Sequence, residues 1–291
     1  MLFTLKNDKI TVTLSTLGAE IKSVKNNADG CEYIWQGNPD FWTGQTPIMF
    51  PICGRLTEGK YTYGGKTYEM VLHGFARHCE FAGEQIGESA VRFTLSATEE
   101  TKKIYPFDFT FVVDYRLEGN VLSTDLTARN NGEEILPATM GLHPGFNVPL
   151  DSGKFEDWCV EFGEVCYPDA FVLSPTCYMT GGKEAFPLVD GKKLNLKHTL
   201  FDNDAIFLSR AARSATLRSD KSERSLTFRF PDFPYVGFWH SRGTEAPFMC
   251  IEPWCGLPAY DGIVDDFAKK NDMFRLLPKT EKTVSASIEF N

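Results

Sequence analysis

An all-β fold follows from three features of this 291-residue sequence. Short stretches alternate apolar and polar side chains with a period of two, as a strand with one buried face requires. Aromatic residues reach 13%, with 24 Phe, and flat rings pack well on a pleated surface. Helical periodicity is weak and brief throughout.

Taken in chain order, strands are predicted at 9–14 and 19–24. Tyr63-Gly64-Gly65-Lys66 has the composition of a tight hairpin loop. A strand at 90–97 precedes the clearest pattern, in which Phe109, Phe111, Val113, Tyr115 and Leu117 share one face. Glu118-Gly119-Asn120 forms a turn, and the alternation resumes from Val121 to Arg129, so the two runs make a hairpin. Further strands are predicted at 157–162, 214–219, 225–230, 235–240 and 248–252. Val284, Ala286, Ile288 and Phe290 mark a closing strand, and the one brief helical pattern falls at 262–271. With no linker, low-complexity segment or repeat, residues 1–291 read as one large antiparallel β domain.

The net charge of −9 and the absence of a Lys/Arg run argue against nucleic acid as a partner, because phosphates call for a basic face. No stretch approaches the ~18 apolar residues of a membrane span. The first residues lack the basic and apolar regions of a signal peptide. The eight cysteines contain no Cys-x-x-Cys pair. A cytoplasmic protein with reduced thiols is the expectation.

Five segments carry polar residues in apolar surroundings. Arg55 follows Gly54 and suits either a structural ion pair or a donor fork for ligand oxygens. His73 precedes Gly74, which permits close approach to the backbone. His143 stands in Gly141-Leu142-His143-Pro144-Gly145-Phe146 on an irregular turn. Asp204 lies in Phe201-Asp202-Asn203-Asp204, where Asx-turn chemistry alone would account for acids. Glu252 is wedged into Cys250-Ile251-Glu252-Pro253-Trp254 at a strand end, and a buried carboxylate is costly unless paired or functional.

In this order the segments resemble the aldose 1-epimerase (galactose mutarotase) family, especially its LacX-like branch. Gly54-Arg55-Leu56 and the following Gly-rich hairpin are similar to the family's Arg-bearing turn. His73-Gly74 and Gly141-x-His143-Pro144-x-Phe146 are similar to its two active-site His motifs, and Glu252-Pro253 to its C-terminal Glu. The resemblance implies a large antiparallel β supersandwich with a sugar cleft, needing no cofactor and no metal. It assigns Glu252 and His143 as catalytic residues, with Arg55, His73, Asp204 and Arg77 as substrate-binding residues. His73-Gly74-Phe75-Ala76-Arg77 also resembles the hexose-6-phosphate 1-epimerases, in which an Arg at the position of Arg77 and a second Arg upstream clamp the phosphate. Here Thr43 stands in the second place, so a free aldose is the expected substrate.

Anomer interconversion needs a base for the C1 hydroxyl and an acid for the ring oxygen, held on opposite sides of the C1–O5 unit. Glu252 suits the base, as a carboxylate able to accept at neutral pH. His143 suits the acid, because imidazole titrates near that pH. Phe75, Trp239 and Trp254 are candidates for an apolar floor. A glycoside hydrolase would need two carboxylates at a set separation. A metal site from His73, His143 and Glu252 lacks a local ligand pair. A non-catalytic sugar-binding protein would use the same cleft.

Overall fold

The computed structural model describes residues 1–291 and is nearly all β. Two large sheets dominate it. One has nine strands, in the order 193–195, 158–162, 214–219, 225–229, 281–290, 121–130, 109–118, 90–96 and 82–85. The other has eight, of which seven run 179–185, 169–173, 206–209, 235–239, 248–254, 141–142 and 48–49, with 145–147 also pairing to 248–254. Pairing between strands is antiparallel except where Asp265–Asp266 runs parallel to Lys60–Tyr63.

The predicted hairpin is present. Phe109–Glu118 pairs residue by residue with Val121–Asn130. Phe109, Phe111, Val113, Tyr115 and Leu117 are buried in the main core. The hairpin at Gly64-Gly65 joins Lys60–Tyr63 to Lys66–Glu69, with both glycines at positive φ.

The predicted helix at 262–271 is absent. Its place is taken by the short strand Asp265–Asp266 and a turn in which Asp266 accepts from the backbone N–H groups of Ala268, Lys269 and Lys270. Gly262 and Asp272, on either side, take left-handed φ values of 72° and 57°. The α-helix lies at Glu99–Ile104 instead, opened by a capping box between Thr98 and Thr101. No helix is long and apolar enough to cross a membrane.

The strand Phe248–Trp254 decides where the site sits. All seven residues are buried, so burial on both faces replaces alternation. Met249 and Ile251 enter the main core between the sheets, beside Val236, Phe238 and Leu208. Trp254 belongs to a separate cluster with Met49, Phe171 and Phe207. Cys250 belongs to a third, with Trp35 and Phe248. Residues 250, 252 and 254 therefore face away from the main core, and Glu252 and Trp254 line the cavity that holds the candidate site.

Candidate active site

A cavity of about 330 Å³ opens on that face and collects all six candidate side chains: Arg55, His73, Arg77, His143, Asp204 and Glu252. They come from distant points in the sequence: Glu252 and His143 lie in and between strands of the eight-stranded sheet, and Arg55, His73, Arg77 and Asp204 on segments that connect strands.

His73 is fixed by a reciprocal pair of backbone contacts. Its N–H donates to the Gly54 carbonyl at 2.8 Å, and the Gly54 N–H donates to His73 Nδ1 at 3.1 Å. Nδ1 is therefore the acceptor, and the proton of the neutral ring sits on Nε2. Burial, then the neighbouring His143, Arg77 and Arg55, hold the His73 pKa well below its ordinary value. The ring is thus a neutral hydrogen-bond donor. Both glycines of this arrangement are required. A Cβ on Gly74 would lie 2.1 Å from the Phe50 carbonyl oxygen, and one on Gly54 would lie 2.6 Å from the Pro258 ring. The turn also sends Phe75 into the core against Phe50, so Phe75 does not form part of the pocket floor.

His143 follows the two-residue strand Gly141–Leu142, and its N–H donates to Pro47 at 3.1 Å. Its ring packs near Trp42, His73 and Trp239, with centroid separations of 5.2, 5.2 and 5.7 Å. Trp42 fits because residue 145 is glycine: a Cβ there would lie 2.9 Å from its ring. Trp42, Trp239, Trp254 and Phe207 supply the aromatic lining. Of these, Trp42 and Phe207 carried no distinguishing signal in the sequence.

Nε2 of His143 stands 3.3 Å from Oε1 of Glu252. Glu252 Oε1 has no hydrogen-bond partner, and His143 Nδ1 meets nothing beyond its own backbone. Burial, reinforced by the Asp204 carboxylate, raises the Glu252 pKa well above the usual carboxylate range. The Trp254 indole N–H opposes this weakly, without making a well-directed hydrogen bond. Burial lowers His143 to about 3. An isolated buried ion costs several kcal/mol, so burial favours the neutral carboxyl of Glu252 and the neutral imidazole of His143. This corrects the expectation of ordinary titration for both. The two groups stand side by side in contact.

Asp204 adopts a left-handed φ of 74°, and its Oδ2 accepts from the Cys177 thiol at 2.8 Å. Arg55 Nη1 donates to the Thr176 carbonyl at 3.0 Å, leaving the rest of its fork for the pocket. Arg77 is half-buried and in no ion pair. The nearest acid that supports its charge, Glu20, is engaged by Lys22 and by the backbone N–H groups of Gln45 and Thr46.

Sequence reading also missed Cys250. Donor atoms of His143, Cys250 and Glu252 lie within 4.8 Å of one another, a thiol-containing set in place of the His73-containing set considered from sequence.

The sequence profile described as Aldose 1-epimerase matches residues 1–265. The chain is 38% identical over 269 residues to the chromosomal protein LacX of Lactococcus lactis subsp. lactis, covering 88% of each chain. A galactose mutarotase related enzyme from Lactobacillus acidophilus superposes with a TM-score of 0.94 at 34% identity, covering 100% of this chain and 97% of that one. A galactose mutarotase-like protein from Lactobacillus casei ATCC 334 gives 0.94 at 32% identity, with both chains covered at 100%.

Proposed function

The chain belongs to the aldose 1-epimerase family, and from that membership and the pocket geometry we propose that it interconverts the α and β anomers of a free aldose. The observation that carries the reading is the 3.3 Å contact between His143 Nε2 and Glu252 Oε1 in a cavity also lined by sugar-compatible donors and aromatic rings.

In ring opening, Glu252 takes the proton of the C1 hydroxyl while His143 protonates the ring oxygen. The aldehyde forms, the C1–C2 bond rotates, and closure on the other face reverses both transfers. The two sugar oxygens share one carbon, so neighbouring groups can serve both. The reactive form, carboxylate beside imidazolium, differs from the resting form only by passage of one proton across the His143–Glu252 contact. The environment that disfavours this form also makes each member stronger at its task. A carboxylate with a raised pKa is a better base, and an imidazolium with a lowered pKa is a better acid. Neutral His73 donates from Nε2 to a sugar oxygen, Arg55 supports the ring oxygen, and Asp204 accepts from ring hydroxyls.

Polarimetry or NMR on each pure anomer tests this. Protein at micromolar concentration should accelerate equilibration from both sides to the same end point. A sugar-binding protein without turnover would leave the spontaneous rate unchanged.

A further inference from the structure

Cys177 occupies the pocket wall beside Asp204, at the end of the turn Ser174-Pro175-Thr176-Cys177. The turn joins the strands Asp169–Leu173 and Met179–Ala185 and is closed on itself. The Cys177 N–H donates to the Ser174 carbonyl and the Ser174 N–H to the Tyr178 carbonyl, both at 2.8 Å, while Ser174 Oγ meets Thr176 Oγ1 at 3.1 Å. Two of its atoms reach proposed sugar-binding groups: the Thr176 carbonyl accepts from Arg55, and Cys177 Sγ donates to Asp204.

We infer that Cys177 is a positioning residue for substrate binding, fixing the Asp204 carboxylate through its thiol hydrogen bond. The inference rests on the proposed role of Asp204 as acceptor of sugar hydroxyls. Asp204 has only this side-chain partner and stands on a backbone with positive φ, so little else sets the plane of its carboxylate. A thiol donor on Oδ2 leaves Oδ1 free for a ligand hydroxyl. The donor also stays protonated: burial, and then the hydrogen bond to Asp204, push the thiol pKa up to about 11. Cys177 itself has a φ of 63°, an uncommon conformation for a residue with a side chain, and this turns its thiol toward the pocket.

Anomer exchange with Cys177→Ala, Cys177→Ser, Asp204→Ala and the Cys177→Ala/Asp204→Ala double variant tests this. Loss of one hydrogen bond to a charged group should raise KM for Cys177→Ala roughly tenfold while kcat stays within about threefold. Cys177→Ser, which keeps a donor, should recover part of that loss and stands in if the alanine variant does not fold. The double variant should be no worse than Asp204→Ala, because Cys177 acts only through that carboxylate. An unchanged KM for Cys177→Ala beside an impaired Asp204→Ala overturns the positioning role alone, as do additive effects in the double variant. An unimpaired Asp204→Ala overturns the sugar-binding role of Asp204, and this inference with it.

Discussion

His143 and Glu252 are cross-strand neighbours. Gly141 pairs with Trp254 and Gly145 with Cys250, and His143 and Glu252 are the residues midway between those two antiparallel pairs. The sheet itself thus holds imidazole and carboxyl together, although their separation in sequence exceeds a hundred residues. The flanking pairs, not a flexible loop, set the spacing of the two groups.

From this pairing, Glu252→Gln and His143→Asn should each lower kcat by roughly two orders of magnitude or more, the scale of general acid–base catalysis. Circular dichroism should show both variants folded, since each replacement keeps a polar group no larger than the original. A folded Glu252→Gln protein with wild-type turnover would remove Glu252 from the role of base.

Between the lowered titration of His143 and the raised titration of Glu252, the rate should be insensitive to pH. Resting and reactive forms of the pair hold the same number of protons, so their ratio does not change with pH while the pair stays singly protonated. Acid adds a second proton and abolishes the base as His143 titrates toward about 3. Alkali removes the single proton and abolishes the acid, on the raised titration of Glu252. The kcat/KM profile should lack an inflection near ~6.5, where a free imidazole titrates. A clear step there in the profile of the wild type, absent in His143→Asn, would mean that His143 titrates as an exposed histidine.

Stability should fall with rising pH because of Glu252. Its pKa is raised on folding, so the folded state binds a proton that the unfolded chain releases above the ordinary Glu value. The contribution is fully present below the unfolded pKa and is lost as pH rises toward the folded one. The slope is about 1.4 kcal/mol per pH unit while one proton is taken up on folding. Glutamine mimics the neutral carboxyl and cannot ionise. Glu252→Gln should therefore gain stability over wild type between about pH 6 and 8, measured by urea unfolding. Parallel pH dependences of the two proteins would contradict a buried neutral carboxyl.

Much of the fold was legible because one-sided burial writes an alternating pattern, as Phe109 to Leu117 shows beside the core. The strand Phe248–Trp254 hides its facing because both of its sides are buried. Glu252 remained conspicuous there as an isolated carboxyl, whereas Cys250, two residues away, reads as any small apolar residue. Trp42 and Cys177 reach the pocket through tertiary packing and carry no local mark. The helix Glu99–Ile104 spans fewer than two turns, too short for a helical period to emerge, although its Thr98–Thr101 capping pair was open to view.

Catalysis should be independent of metal ions, because both steps are proton transfers. The proximity of His143, Cys250 and Glu252 makes the test informative, since this set suits a thiophilic ion such as Zn²⁺. Dialysis against a chelator, checked by elemental analysis, should leave kcat unchanged. Activity lost on chelation and restored by one divalent ion would replace the acid–base account with a metal-centred one.

The substrate should be a free aldose, with lower kcat/KM for its 6-phosphate. Arg77 offers a half-buried guanidinium in no ion pair, the one feature of the pocket that favours a phosphate. A dianion held firmly calls for charge-assisted forks from more than one side. Thr43, in the place of the second clamp, is exposed and does not line the cavity. The other pocket arginine, Arg55, is anchored to Thr176. Arg77→Ala should therefore change kcat/KM for glucose or galactose by less than about threefold, because the proposed reaction of a free aldose gives Arg77 no contact with the sugar. The same variant should lower the residual rate on glucose 6-phosphate further, since a single fork is all that would meet the phosphate. A wild-type preference for glucose 6-phosphate over glucose, lost in Arg77→Ala, would show that one guanidinium suffices and that the inference from Thr43 is wrong.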